Sequence, residues 1–464
     1  MALIKSISGI RGEIGGVAGS NLTPIDIVEC TAAYGTWVLQ KTQNPKIVIG
    51  RDGRISGEIV NQLVVNTLRS LGIDVVDLGY STTPTVEMAV PWESAGGGII
   101  LTASHNPKQW NALKLLNDKG EFISGTDGNE VLSLIGGSEI EFATVDKLGN
   151  YTQDETYMEK HIQAILDLPL VKPDVVKEKQ FKVVVDCINS TGLISVPLLL
   201  EKLGCEVITI NDELNGQFNH NPEPLPANLR QLATEVTNKR AHLGIAVDPD
   251  VDRLAFVCED GEMFGEEYTL VAISDYVLKN NIGNTVSNLS STRALRDITQ
   301  KHGGEYHAAA VGEVNVVNKM KAVNAVIGGE GNGGVIYPAL HYGRDALVGI
   351  ALMLTHLAEY GQPISFLRKT YPKYIISKNK IPLSEEMKLD LIFDKLKKKY
   401  ANEDINTIDG LKINFESGWV HLRKSNTEPI VRIYSESESE VTANNLANKI
   451  QQDIGEIMRS GAMA

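Results

Sequence analysis

Short apolar runs that alternate with helical stripes, each run stopping at a polar loop, restrict this chain more than any other feature. Residues 46–50 read as a buried strand, and Val60, Leu63, Val64, Leu68 and Leu71 then repeat at helical spacing until Gly72 stops them. Upstream, Thr23 and Pro24 open a helix whose inner face carries Ile27, Thr31, Tyr34 and Val38. Residues 75–78 and 98–101 are further strands, the second running straight into Thr102-Ala103-Ser104-His105-Asn106-Pro107. The pattern recurs with strands at 181–186, 205–210 and 243–247 and helices at 195–203 and 229–240, ending at Asp248-Pro249-Asp250-Val251-Asp252-Arg253. A third round has a strand at 286–289, a helix reaching His302, a strand at 325–327 that opens onto the loop Gly328 to Gly334, and a helix over 345–360. Such alternation predicts layered α/β units, and open α/β sheets bind ligands beyond the C-terminal ends of their strands.

The tail differs. A Lys-rich amphipathic helix at 391–400 precedes strands at 411–415, 419–423 and 430–434 and a helix over 441–458, which is an α+β unit. At 464 residues the chain exceeds what one hydrophobic core organises, and the units divide at 1–152, 153–257, 258–368 and 369–464. A net charge of −14 excludes nucleic-acid binding through a basic face. No apolar run is long enough to span a bilayer and the N-terminus has no signal-peptide pattern, so the expected address is cytoplasmic and away from membranes. Cys30, Cys187, Cys205 and Cys258 are scattered, as buried thiols of a reducing compartment are.

Four loops carry chemistry. Asp248, Asp250 and Asp252 converge on one point if the loop after their strand curls, and hard carboxylate oxygens suit Mg2+; a solvated acidic loop is the plainer alternative. An EF-hand is disfavoured, because Arg253 stands at the sixth position where that loop turns on Gly. Ser104, with His105 beside it at a strand end, is exposed enough for a nucleophile, although no GxSxG elbow surrounds it and a polar turn closed by Pro107 is the local alternative. The loop 328–334 has five glycines, with Glu330 and Asn332 available to sugar hydroxyls; without the P-loop Lys and Ser/Thr it is equally a flexible turn. Arg423, Ser425, Asn426 and Thr427, within Arg423 to Pro429, offer a guanidinium fork, hydroxyls and an amide that can wrap a phosphate dianion, or else form a basic hairpin tip.

Taken in order, the TASHNP, DPDxDR, GGExxGG-like and RxSNTEP elements resemble those of the α-D-phosphohexomutase family over essentially the whole chain. The resemblance implies three similar α/β domains with mixed sheets plus a C-terminal α+β domain, arranged around a central cleft to which each gives one loop. It implies that Ser104 is phosphorylated at rest and completes the shell of one Mg2+ held by Asp248, Asp250 and Asp252, with Arg253 steadying the phosphoserine or sugar. Residues 111–114 resemble the family's NGxK stretch, making Lys114 the general acid/base candidate, with His105 beside the nucleophile; Arg11, in an IRG-like element, would face the phosphoserine. Glu330 and Asn332 would grip the sugar, and Arg423, Ser425, Asn426 and Thr427 the phosphate that is not reacting. The substrate class is a phosphorylated hexose, with hexose 1,6-bisphosphate as activator and intermediate.

The sugar loop departs from the GExSGH pattern of many bacterial members, holding Asn332 and Gly334 where they have Ser and His. Losing that His places more weight on Lys114. The expected reaction is conversion of glucosamine 6-phosphate to glucosamine 1-phosphate. A phosphomannomutase/phosphoglucomutase is the alternative on the same scaffold, and a non-catalytic sugar-phosphate sensor has no need of Ser104, Lys114 and three Asp residues together.

Overall fold

The apolar run Leu243–Val247 is a strand buried along its whole length, and it belongs to a four-strand unit that the chain builds three times. The computed structural model describes residues 3–6, 9–137, 139–382, 389–424 and 430–461. Its first sheet contains β1 (Leu3–Ser6), β2 (Gly9–Glu13), β3 (Lys46–Arg51), β4 (Asp74–Tyr80), β5 (Gly97–Leu101), β6 (Trp110–Leu116) and β7 (Tyr151–Gln153). The second holds β8 (Lys182–Asp186), β9 (Glu206–Ile210), β10 (Leu243–Val247) and β11 (Leu254–Cys258). The third holds β12 (Asn284–Asn288), β13 (Tyr306–Ala309), β14 (Ala325–Glu330) and β15 (Gly334–Ile336). The strand orders β6-β5-β3-β4, β11-β10-β8-β9 and β15-β14-β12-β13 are the same topology. In each, the first strand lies between its parallel second and third, and the third pairs antiparallel with the fourth. The fourth sheet, β16 (Ile375–Pro382), β17 (Asp404–Asn406), β18 (Leu411–Phe415), β19 (Gly418–Lys424) and β20 (Ile430–Ser437), is wholly antiparallel.

Three of the four motif loops are therefore equivalent: each joins the third strand of a unit to its antiparallel fourth. The glycine-rich stretch is less of a loop than the sequence suggests. Gly328, Gly329 and Glu330 finish β14 and Gly334 begins β15, which leaves a three-residue turn. The glycines there allow close packing, since a Cβ on Gly328 would lie 2.7 Å from the Val286 carbonyl oxygen and one on Gly329 2.0 Å from that of Gly334. The hairpin β1–β2 extends the first sheet beside β6 and sets Arg11 opposite Ala112 and Gly9 opposite Lys114. Gly9 is required there: its φ is 130° and a Cβ would stand 1.9 Å from the Leu113 carbonyl oxygen.

Hydrophobic burial groups the chain differently from the sheets. The helix Ala346–Tyr360 is apolar on nearly every side and is buried almost throughout. It joins a continuous core that runs from Met158 to Tyr371 and takes in Val183 and Ile245 of the second sheet as well as Ile327 and Val335 of the third. The first and fourth sheets keep cores of their own. Among the described residues no helix is long and apolar enough to cross a membrane.

The fourth sheet docks on the third domain through polar contacts. Lys412 Nζ donates to the Leu289 carbonyl at 2.7 Å, and the backbone N–H of Arg293 donates to Glu436 at 3.1 Å. Between them, buried His421 places Nε2 2.7 Å from the Asp409 carbonyl oxygen and Nδ1 2.9 Å from Ser290 Oγ. A carbonyl only accepts, so Nε2 carries the proton and Nδ1 accepts from the hydroxyl. Burial lowers the His421 pKa to about 4. Between that value and the unfolded one near 6.5 the unfolded chain binds the extra proton, so this stability is intact above about pH 6.5 and falls on acidification towards pH 4. Thermal denaturation should show a loss of up to about 3 kcal/mol across that window in the wild type, and a shallower loss in His421→Gln.

Candidate active site

Ser104 stands three residues past the end of β5, in the turn that follows it, with a left-handed backbone (φ 48°) that a non-glycine residue adopts only under constraint. Several constraints are visible. Its N–H donates to Thr102 Oγ1 at 2.9 Å, and its Oγ donates to Asp248 Oδ2 at 2.7 Å. Beneath the loop lies Arg54, only 1% exposed, which donates to the carbonyls of Ser104, Asn106 (2.7 Å), Pro107 (2.8 Å) and Trp110 (2.9 Å). Its Nε–H meets Asp52 Oδ2 at 3.0 Å, and the same oxygen accepts from Thr102 Oγ1 at 2.6 Å. One guanidinium thus gathers four inward-facing carbonyls and fixes the serine hydroxyl's direction. Sequence reasoning missed Asp52 and Arg54. The available signal was their place directly after the strand at 46–50, where a central α/β strand ends at the ligand side.

The acidic loop does curl inward. The N–H groups of Asp252 and Arg253 both donate to Asp248 Oδ1 at 3.1 Å, and Val251 is forced to φ 62° although it is β-branched. All three carboxylates are fully buried, with oxygens within 4.8 Å of one another. Cations and hydroxyls from two other domains surround them. Lys114 Nζ lies 2.6 Å from Asp250 Oδ2 and 3.4 Å from Asp252 Oδ2, Thr83 Oγ1 donates to Asp250 Oδ2 at 2.5 Å, and Arg344 Nη2 donates to Asp252 Oδ2 at 2.7 Å. Burial, together with Asp252 and Asp250, pushes the Asp248 carboxyl well above the usual range. Burial acts the same way on Asp252, but Arg344 and Lys114 overcome it and hold that group low. Oδ1 of Asp250 and Oδ1 of Asp252 are buried without a hydrogen-bond partner. Orphaned anionic oxygens beside a third carboxylate fit a hard divalent cation. Glu259 is not among them, since its carboxylate accepts from the Ser365 N–H at 3.1 Å beyond the far end of β11.

Arg344 explains the departure in the sugar loop. A Cβ on Gly334 would lie 2.3 Å from Arg344 Cδ, so a histidine at 334 and this arginine compete for one space. Arg344 then spans the site, donating to Glu330 Oε2 at 2.8 Å and Glu313 Oε2 at 3.0 Å as well as to Asp252. The other Glu330 oxygen accepts from Asn288 Nδ2 at 2.8 Å and from the Gly312 N–H at 3.1 Å, so both oxygens of this carboxylate have protein donors. Asn332 Oδ1 accepts from the Gly334 N–H at 3.2 Å, which shapes the turn.

The remaining sequence candidates divide. His105 Nδ1 is 3.4 Å from Ser104 Oγ. Burial and the nearby Arg253 depress the His105 pKa well below its usual value, and burial with Arg253 also lowers that of Arg11. Arg253 Nη1 donates to Glu223 Oε1 at 2.9 Å, with its Nε 3.9 Å from Asp248 and 3.8 Å from Asp252. Arg423 stands apart at the end of β19, 3.6 Å from Asp409. Ser425, Asn426 and Thr427 lie outside the described residues.

Comparison with known proteins decides the assignment. Models of the phosphoglucomutase/phosphomannomutase α/β/α domains I, II and III match residues 3–139, 155–261 and 265–374, and that of the C-terminal domain matches 380–452. The chain belongs to the phosphoglucomutase/phosphomannomutase family. As a phosphohexomutase it is an isomerase, and its similarity to relatives is spread over nearly the whole chain. A probable phosphoglucosamine mutase of Methanopyrus kandleri is 33% identical over 95% of both chains. A phosphoglucomutase/phosphomannomutase of Thermococcus kodakarensis is 34% identical over 94% of both. Among solved structures, a phosphoglucomutase/phosphomannomutase family protein from Burkholderia thailandensis superposes with a TM-score of 0.84 at 28% identity, covering 98% of this chain and 97% of that one.

In this phosphohexomutase, Arg54→Lys keeps the charge beside Asp52 but cannot supply four carbonyls at once. Turnover should fall by about 10-fold or more, from a misdirected Ser104, since hydrogen bonds from a charged group contribute roughly 1.5–3 kcal/mol each. Circular dichroism should show the fold retained, and steady-state kinetics should place the loss in kcat.

Proposed function

We propose that the chain is a phosphoglucosamine mutase, moving a phosphoryl group between O6 and O1 of glucosamine phosphate by way of phosphorylated Ser104 and a hexose 1,6-bisphosphate. The observation that carries the chemistry is the 2.7 Å approach of Ser104 Oγ, on a left-handed turn, to Asp248, whose cluster partners Asp250 and Asp252 each keep one buried oxygen without a hydrogen-bond partner. Asp248, Asp250 and Asp252 would hold one Mg2+, which supplies charge to offset the oxygens of the transferring phosphoryl group.

This chain's residues do the rest. The free hydroxyl of the sugar attacks phosphorus as the bond to Ser104 Oγ breaks. The hydroxyl's proton passes to a base and returns to the serine oxygen. His105 Nδ1 beside Ser104, an imidazole that burial keeps neutral, is the group within reach that we assign to that transfer, while Lys114 Nζ, 2.6 Å from Asp250 and held protonated because Asp250 and Asp252 outweigh its burial, serves as an acid towards the leaving serine oxygen. Arg11 and Arg253 add positive charge on the phosphoserine side. The bisphosphate turns over in the cleft and returns its other phosphate to Ser104, so its distal phosphate needs a second clamp. Arg423, with Ser425, Asn426 and Thr427, takes that part, while Glu330 and Asn332 present the sugar-facing turn.

The substrate reading follows the name of the Methanopyrus kandleri relative. The Thermococcus kodakarensis relative supports phosphoglucose and phosphomannose as the second reading. A coupled assay on glucosamine 6-phosphate, glucose 1-phosphate and mannose 1-phosphate separates them: the amino sugar should give the highest kcat/KM, and preference for either neutral sugar overturns the choice. Intact-mass measurement checks the chemistry independently. One phosphate should be present after incubation with hexose 1,6-bisphosphate and absent in Ser104→Ala, which should also lack turnover.

A further inference from the structure

Outside the acidic loop, a second set of metal-type ligands lies where three domains meet. His161, in the helix Tyr157–Leu166, directs Nε2 at Asp345 Oδ2 from 2.9 Å. His341, in the segment before the helix Ala346–Tyr360, directs Nε2 at the same oxygen from 3.4 Å. The two imidazoles meet edge to face with centroids 6.2 Å apart, and the three ligand atoms lie within 4.8 Å of one another.

The outer groups are arranged as they are around a metal. His161 Nδ1 is 2.9 Å from Thr85 Oγ1, which holds the far nitrogen of that ring, while His341 Nδ1 stands 3.5 Å from Glu87 Oε2 without a hydrogen bond, and both near nitrogens point at the one Asp345 oxygen. The other oxygen of Asp345 accepts from the Leu347 and Val348 N–H groups at 2.8 and 3.2 Å, which fixes the carboxylate and leaves Oδ2 facing the histidines. Glu87 is 2% exposed and neither of its oxygens has a hydrogen-bond partner. Burial raises the Glu87 pKa well above the usual carboxylate range, with Lys114 and Arg344 opposing it, so Asp345 is the anion that the two imidazoles share.

We propose that His161 Nε2, His341 Nε2 and Asp345 Oδ2 bind one transition-metal ion of the Zn2+ class, with Thr85 orienting the His161 imidazole. Two imidazoles with one carboxylate favour such ions over Mg2+, and three protein ligands leave a position for water. The site is separate from the Asp248–Asp250–Asp252 cluster yet linked to it. Thr85 and Glu87 share the helix Thr83–Trp92 with Thr83, whose hydroxyl donates to Asp250. Metal at the histidine site would brace that helix against the elements bearing His161 and Asp345.

Co2+ reports ligand geometry through its visible spectrum and serves as the probe. Full-length protein stripped with a chelator and saturated with Mg2+ is titrated with Co2+, then with competing Zn2+. One equivalent of Co2+ should give intense bands of a four- or five-coordinate site, bleached by Zn2+, in the wild type and in Asp250→Asn alike. The bands should vanish in His341→Gln and His161→Gln, and Zn2+ should raise the unfolding temperature of the wild type but not of His341→Gln. Should His161→Gln fail to fold, His341→Gln, on a non-helical segment, keeps the test. The proposal is overturned if the stripped wild type binds no Co2+ beyond the Mg2+-saturated site. It is equally overturned if binding survives in His341→Gln and is lost in Asp250→Asn, which would place the ion in the acidic loop.

Discussion

Three carboxylates taken wholly out of water within 4.8 Å of one another are the constraint on which this architecture depends. At an effective dielectric constant near 20, each like-charged pair at that spacing costs about 3 kcal/mol, before the cost of desolvation. The second domain, which carries the loop, cannot offset this alone. Lys114 arrives from the first domain and Arg344 from the third, each with a direct contact to the loop. The site is therefore complete only when three domains are assembled, and its charge balance helps to hold them in place. An arginine that touches Asp252, Glu330 and Glu313 together also couples the acidic loop to the glycine-rich hairpin.

The repeated four-strand unit shows how one topology serves different chemistry. In each unit the functional loop joins the third strand to the fourth, and the segment after the first strand supports it from below. Arg54 gathers the Ser104 loop, Ser190 and Thr191 donate to the Pro249 carbonyl at 2.7 and 2.8 Å, and Ser291 Oγ accepts from the Gly331 N–H at 2.9 Å. The supports also cross units, since the Gly53 N–H donates to Ser190 Oγ at 3.0 Å. Function thus changes at the loop tip while the means of fixing it is kept.

Legibility in the sequence followed the range of the interaction. Central strands such as Leu243–Val247 and amphipathic helices such as Gly57–Ser70 declare themselves through local periodicity. The hairpin β1–β2 did not, because its polar residues match no apolar run and its place is set by pairing with β6, about 100 residues on. The helix Thr83–Trp92 was hidden by its threonines and by Pro84 and Pro91, and tertiary packing overrides that poor propensity. Ser104 and the three Asp residues were readable because each sits in a compact motif. Arg54, Arg344 and Thr83 were not, because what gives them meaning is a partner 50, 92 or 167 residues away. The glycine-rich stretch was half readable: its glycines were evident, and their packing role was not.

The core shared by the second and third sheets bears on how the chain comes into being. The helices at 157–166, 173–178 and 192–202 of the second domain pack on the helix that begins at Ala346, so their outer apolar faces are synthesised well before the surface that covers them. A growing chain therefore presents an uncovered apolar face to the cell until that helix leaves the ribosome. Fragments cut between the two domains should aggregate rather than fold, although each contains a complete sheet.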